Sequence, residues 1–292
     1  MGECIGIIGL GRMGSAFARR CLSLGLKVVA WNRTPEKMEK LQGVEPAATP
    51  REVAERCGAV HIFVADDEAS RAVLRGPEGV FAALRSELIV ANHTTVTPSH
   101  SLEMYRAAEE LGAMYLDAPV VGGPAQARLG QLLVLVSGSR DAYEKALPML
   151  KNLGDTVMYV GDVPTATVLK LAINSMFFIS VQTISEALAL ASAWGVDPEV
   201  LREAASKTWL KTLFDKYYDR MMSKERPPSF TVRLAAKDLA YAQQAGYMRG
   251  TPLPLVSTAL QTYLEASRRG YGSSDYSRIA WHVMGGEPGG TS

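Results

Sequence analysis

The chain has little of what metal sites, disulfide scaffolds or polyanion binders require. Its 292 residues include three cysteines and four histidines. Cys4, Cys21 and Cys57 lie in apolar or helical contexts without CxxC spacing, and they read as reduced packing residues of a cytoplasmic protein. His61, His93, His100 and His282 show no HxxxH or HExxH spacing, so no metal site is expected. A formal net charge of +1 supplies no global field to gather nucleic acid or an anionic membrane, and neither is expected as a partner. No basic-then-apolar leader precedes the first apolar run, which argues against secretion. What remains is a small-molecule partner and a chain long enough for two domains.

What the chain does have begins at once. The apolar run Cys4-Ile5-Gly6-Ile7-Ile8 feeds Gly9-Leu10-Gly11-Arg12-Met13-Gly14, which opens into the helical pattern Ser15-Ala16-Phe17-Ala18-Arg19-Arg20. Strand, glycine turn and helix in that order form a dinucleotide pyrophosphate site. Gly9 permits the tight turn, Gly11 lets the backbone approach the phosphates, and Gly14 allows close helix–strand packing.

The second strand, Lys27-Val28-Val29-Ala30-Trp31, ends in Asn32-Arg33-Thr34, with no Asp or Glu to meet the ribose hydroxyls of NAD. Arg33 offers a planar fork for a 2′-phosphate, with Asn32 and Thr34 as neutral partners, so NADP is the expected cofactor. The alternative is a solvated Arg33 in a segment that merely caps the next helix, with Thr34 as N-cap and Pro35 behind it.

Further apolar strands follow at 59–64, 88–92, 113–117, 132–136 and 157–160, and their continuity suits a sheet covered on both faces. Thr49-Pro50-Arg51-Glu52 and Thr97-Pro98 mark helix starts. The pattern is a doubly wound α/β domain of the Rossmann kind over residues 1–163. From Thr165 to Trp194 the sequence predicts one long helix ended by Gly195, with Lys170 and Glu186 its only charges. Asn174, Ser175, Ser180, Gln182, Thr183 and Ser185 interrupt it too often for lipid, so it reads as a central helix buried by other helices or a second subunit. Residues 164–292 form an all-helical domain with breaks at Pro198, Pro227-Pro228 and Gly270–Gly272, and Gly285–Ser292 is expected to be a loose tail.

Two further segments carry chemistry. Asp117-Ala118-Pro119-Val120-Val121-Gly122-Gly123-Pro124 follows a strand end, where the amides of Val121, Gly122 and Gly123 can bind a carboxylate; a plain turn explains it equally well. Lys170 and Asn174 are four residues apart, on one helix face. A lysine in so apolar a helix is partly desolvated, which suits proton transfer.

These segments, in this order, resemble the β-hydroxyacid dehydrogenase family, which includes 3-hydroxyisobutyrate dehydrogenases, tartronate semialdehyde and glyoxylate reductases, and L-serine dehydrogenases. The resemblance covers nearly the whole chain: Gly9 to Gly14, Asp117 to Gly123, Gly161 with Lys170 and Asn174, and Lys237-Asp238-Leu239. It implies that Lys170 is the general acid/base and that Asn174 orients the reacting oxygen. Thr95 and Lys237 would lie near the nicotinamide, Val64-Ala65-Asp66 would line the adenosine side, and Phe230 would pack near a pocket between the domains. By itself, Lys237-Asp238 reads as a helix-surface pair worth little. The family's loop usually has serine where this chain has Val121, which removes one polar group from the substrate's surroundings.

The expected activity is NADP-dependent hydride transfer to or from a small carboxylate-bearing 3-hydroxy acid or its semialdehyde, in a homodimer or homotetramer. An imine reductase shares this layout but commonly has Asp or Tyr at the position of Lys170. A catalytically silent NADP-binding scaffold is the alternative from outside enzymology.

Overall fold

The computed structural model describes residues 4–83, 85, 88–223 and 227–287. The last five residues of the expected tail, 288–292, lie outside that set. The chain divides into two compact units, residues 1–170 and 171–292.

The first unit runs β1 (Cys4–Ile8), α1 (Arg12–Ser23), β2 (Lys27–Trp31), α2 (Glu36–Glu39), β3 (Val44–Pro46), α3 (Pro50–Arg56) and β4 (Ala59–Ile62). It continues with α4 (Asp67–Arg75), β5 (Ile89–Asn92), α5 (Pro98–Glu110), β6 (Met114–Asp117), β7 (Val120–Val121) and α6 (Pro124–Leu129). β8 (Leu133–Gly138), α7 (Arg140–Leu150) and β9 (Thr156–Tyr159) complete the sheet region, and α8 (Thr165–Ala193) begins within this unit. The strand order is β3-β2-β1-β4-β5-β6-β8-β7, with β9 on β8. The six strands from β3 to β6 are parallel, in the doubly wound order; β8 joins β6 antiparallel, through Asp117↔Ser137.

Alternate residues of each strand enter different cores, which is why the strands read as unbroken apolar runs. Ile5, Ile7, Val28 and Ala30 pack with Phe17 and Cys21 on one face. Cys4, Ile8, Val29 and Val60 pack with Val53 and Leu74 on the other. Two of the expected helix starts are capped as their residues dictate. Thr49 Oγ1 accepts the Glu52 N–H at 3.1 Å, and Thr97 Oγ1 accepts the His100 N–H at 3.2 Å. At α2 the Thr34 cap of the alternative reading is not made: Pro35 precedes the helix and no side chain caps it.

The cysteine reading is corrected. Cys4 and Cys57 form a disulfide with their Cα atoms 5.2 Å apart. Parallel pairing of β1 with β4 sets Ile5 beside Ala59 and so brings together the residues that lead into the two strands. Cys21 is the free thiol, buried, and its pKa is pushed up to about 12 by that burial.

The second unit is helical. Most of α8 lies in it, with α9 (Pro198–Ser206), α10 (Lys211–Met222), α11 (Val232–Met248), α12 (Pro254–Arg268) and α13 (Ile279–Val283). By length and hydropathy α8 alone among the described helices matches a membrane span. Its Leu171, Phe178, Val181 and Leu188 are nevertheless core residues, packed with Tyr217, Val232, Leu239 and Tyr263.

Candidate active site

The glycine loop has the room its sequence requires. Gly9 has φ +93°, and a Cβ there would stand 2.2 Å from the carbonyl oxygen of Phe63. A Cβ on Gly14 would stand 1.9 Å from the Gly9 carbonyl oxygen, which is the close helix–strand approach expected of it. Gly11 differs: a Cβ there meets no atom within 4 Å, although its φ of −70° is ordinary. A side chain at Gly11 is therefore excluded neither by the chain's packing nor by its backbone conformation, and the space beside it is open. Gly11 precedes α1, whose first turn has no side-chain cap and no acidic residue, so the N–H groups and the positive helix end are offered outward. Leu10 is buried, Met13 half-buried and Arg12 exposed. These features fit a dinucleotide pyrophosphate.

Asn32 holds this loop in place. Its Oδ1 accepts the Leu10 N–H at 2.8 Å and its Nδ2 donates to the Thr34 carbonyl at 2.9 Å, so the buried amide stitches the end of β2 to the glycine turn. Arg33 and Thr34 are exposed beside it. At the neighbouring strand ends, the Val64 N–H donates to Thr94 Oγ1 at 3.2 Å, Asp66 caps α4 through the Ala69 N–H at 2.9 Å, and Ala65 is exposed. Thr95 is half-buried, two residues beyond His93.

Beneath these ends lies a pair of imidazoles that the linear spacing hides. His61 Nδ1 and His93 Nε2 are 2.7 Å apart, and His93 Nδ1 is 2.6 Å from the Ala118 carbonyl. The carbonyl can only accept, so His93 carries its proton on Nδ1, and its Nε2 accepts a hydrogen bond from His61 Nδ1–H. Burial pushes the His93 pKa down to about 4, and burial with the neighbouring imidazole pushes that of His61 well below its usual value.

In the second glycine segment, Val121 ends β7, paired with Leu133. Gly122 has φ +130°, and a Cβ there would meet Leu132 at 2.5 Å. The Gly123 N–H, expected among the carboxylate donors, already donates to Gln126 Oε1 at 3.1 Å. A ligand using that amide must displace the glutamine. Asp117, at the base of the segment, is buried and accepts from Thr167 and Ser137. Burial raises its pKa, while these hydrogen bonds oppose the rise.

Lys170 and Asn174 are both buried, at 8% and 4% exposure, one turn apart on α8. In the second unit, Asn174 Nδ2 donates to Asp238 Oδ2 at 2.7 Å, and Lys237 Nζ lies 3.1 Å from Asp238 Oδ1. The ammonium of Lys237 also stands 4.6 Å from the centre of the Tyr241 ring. Lys237 is half-buried and Asp238 fully buried, so the pair is not the exposed surface pair that the sequence suggests. Phe230 stacks on Phe178 at 5.7 Å and meets Tyr276 edge-on. Asp117 and Asp238 are the site-shaping residues to which sequence reasoning assigned no role. Each sits inside a segment flagged for other reasons.

Two family models match in sequence order. That of the NAD binding domain of 6-phosphogluconate dehydrogenase matches residues 4–161, and that of the NAD-binding domain of NADP-dependent 3-hydroxyisobutyrate dehydrogenase matches residues 165–283. L-threonate dehydrogenase of Cupriavidus necator is 31% identical over 96% of this chain and 95% of its own. Mitochondrial 3-hydroxyisobutyrate dehydrogenase of Mus musculus is 29% identical over 97% of this chain and 88% of its own. The crystal structure of a 3-hydroxyisobutyrate dehydrogenase from Salmonella typhimurium superposes with a TM-score of 0.83 at 29% identity, covering 95% of this chain and 99% of that one. With both halves matched and the glycine loop built as its sequence demands, the chain belongs to the β-hydroxyacid dehydrogenase family.

Proposed function

We propose that this protein is an NADP-dependent oxidoreductase that interconverts a small 3-hydroxy acid, of the 3-hydroxyisobutyrate or L-serine type, and its semialdehyde. The observation that carries this reading is Lys170: a buried lysine, one turn ahead of a buried asparagine, in a helix with one other charged residue. When bound, the nicotinamide cofactor takes or gives the hydride. Lys170 takes the proton of the substrate hydroxyl during oxidation and returns it during reduction. Asn174 has its amide N–H drawn to Asp238, so its other end, a carbonyl, suits a hydroxyl or ammonium donor. The amides of Val121 and Gly122 receive the carboxylate, with Gly123 joining when Gln126 yields. By the family resemblance, Phe230 would supply apolar contact to the substrate, and Thr95 of the first unit and Lys237 of the second would each serve the nicotinamide.

Arg33, exposed where β2 ends without an acid, supports NADP over NAD. The description of the second family model as NADP-dependent points the same way, and the hydroxy acids named for the relatives support the substrate class. The test is a panel of L-serine, 3-hydroxyisobutyrate, D-glycerate and 4-hydroxybutyrate with NADP⁺ and with NAD⁺, following absorbance of the reduced nicotinamide. Turnover of at least one acid with NADP⁺ is expected. Tight NADP⁺ binding without turnover of any acid would leave the silent scaffold or the imine reductase in its place, and a cyclic imine with NADPH separates those two.

A further inference from the structure

Every backbone donor in the first turn of α8 can be traced, and two of them leave the helix for the sheet. The Thr165 N–H donates to the Asp162 carbonyl at 2.9 Å and the Val168 N–H to the Pro164 carbonyl at 3.0 Å, as in an ordinary helix start. Between them, the Ala166 N–H donates to Ser137 Oγ at 3.2 Å, and the Thr167 N–H donates to Asp117 Oδ2 at 3.0 Å. The Thr167 hydroxyl donates to the other carboxylate oxygen at 2.9 Å, and the Ser137 hydroxyl donates to Asp117 Oδ2 at 3.2 Å. Groups that a local N-cap residue normally satisfies are here satisfied by two strands.

The strands are built to present this cap. Asp117 and Ser137 are direct cross-strand partners of β6 and β8, so their side chains emerge on the same face of the sheet. All three residues are almost wholly excluded from solvent: Asp117 and Thr167 are 1% exposed and Ser137 is 0%. A carboxylate in such a place is costly unless donors surround it, and three donors do. Its negative charge also faces the positive end of a helix of 29 residues. Asp117 is, moreover, the residue from which the chain runs on into Val120–Val121 and the glycines. One carboxylate therefore fixes both the root of the glycine segment and the register of the helix whose sixth residue is Lys170.

We propose that Asp117, with Ser137, is a positioning residue for the proton-transfer lysine: by capping α8 from the sheet it fixes the axial and rotational placement of Lys170. The inference rests on the reading of Lys170 as the acid/base group. An anchor one turn from the amine limits its travel along and around the helix axis, and displacement of about 1 Å at a reacting group is enough to cost on the order of a hundredfold in rate.

The test is a double-mutant cycle on the full-length protein, using NADP⁺ and whichever hydroxy acid of the panel turns over fastest. Asp117→Asn keeps the shape but removes the charge and one acceptor. It is expected to lower kcat about 10- to 100-fold, with KM and NADP⁺ affinity changed less than about threefold. In the Lys170→Ala background the same substitution is expected to lower the residual rate less than about twofold, because the group being positioned is gone. Should Asp117→Asn fail to fold, Thr167→Val removes one donor and Thr167→Ser restores it. Loss of kcat in the first, recovery in the second and disappearance of the effect in Lys170→Ala are the expected pattern. The full rate factor persisting without Lys170, or a loss confined to KM, overturns the inference. Near-normal turnover in Lys170→Ala alone overturns the lysine reading itself, and the inference with it.

Discussion

Asn174 Nδ2 donates to Asp238 Oδ2 at 2.7 Å, and this bond decides which way the Asn174 amide faces. A carboxylate has no proton to give, so the NH₂ end is held at Asp238 and the carbonyl end is turned to other donors. Asp238→Asn offers that NH₂ group an amide that presents either end. We expect turnover to fall about 10-fold while NADP⁺ affinity stays within about twofold, read by steady-state kinetics and fluorescence titration. Asn174→Ala is expected to lower turnover by a similar factor, less than loss of the lysine does.

Lys170→Ala is expected to lower kcat about 10² to 10⁴-fold with NADP⁺ affinity nearly intact, the usual contribution of a positioned general acid/base. Lys170→Arg should be almost as inactive, because a guanidinium keeps its proton at working pH. An arginine variant with near-normal kcat would show that only positive charge is needed there.

Gly11 and Gly14 give opposite outcomes for the same added methyl group. A Cβ at Gly14 collides with the Gly9 carbonyl, so Gly14→Ala should lower the melting temperature of the ligand-free protein. A Cβ at Gly11 meets nothing in the chain, so Gly11→Ala should melt normally; on the reading that the pyrophosphate lies against this glycine, it should bind NADP⁺ at least about 10-fold more weakly. Equal NADP⁺ affinity in wild type and Gly11→Ala would place the pyrophosphate elsewhere. For Arg33→Asp, we expect a loss of about 1.5–3 kcal/mol in NADP⁺ binding and a much smaller change for NAD⁺.

The buried imidazoles make stability fall with acid. The folded-state pKa of His93 is down at about 4 and that of His61 is also depressed, whereas an unfolded histidine titrates near 6.5. Below that unfolded value the unfolded chain binds protons that the folded chain refuses. The stabilisation is therefore fully present above pH 6.5 and is lost as pH falls toward 4, at up to about 1.4 kcal/mol per pH unit for each histidine. Asp117, with its pKa raised, contributes with the opposite sign from 3.8 upward. Urea midpoints between pH 7.5 and 5 should show the slope, and His61→Phe should reduce it.

Leu169, Met176, Thr183 and Leu190 recur every seven residues along α8, and all are exposed, as is Trp194 at 83%. This is the spacing of a helix seam, and it supports a homo-oligomer in which the stripe is covered by another subunit. Light scattering at micromolar concentration should give at least a dimer. Leu190→Glu should shift it toward the monomer; a monomeric wild type would end the argument.

Legibility in the sequence followed the range of the interactions. The long parallel strands were readable because each is buried on both faces, and the caps Thr49 and Thr97 because they act within three residues. β3 and β7 were not, being three and two residues long and held by pairing rather than by their own pattern. The glycine loop declared its purpose through local order. The bonding of Asp117 to Thr167, His61 to His93 and Asn174 to Asp238 spans 50, 32 and 64 positions, distances over which residue spacing carries no signal. Gln126 on the Gly123 amide was within reach of sequence reasoning, since a glutamine three residues past a helix N-cap commonly folds back onto its N–H.

The bond between Cys4 and Cys57 makes the first part of the chain a covalent ring with a sequence separation of 53. The ring contains the whole glycine loop, Asn32, Arg33 and the first three strands. Closing a loop of that size restricts the unfolded chain by about 4 kcal/mol, so the cofactor-binding segment is held by topology as well as by packing. A protease that cuts the exposed Arg33–Thr34 segment would leave a molecule of unchanged mass apart from one water, still running as a single species on a denaturing gel. Only a thiol reductant would release the two pieces.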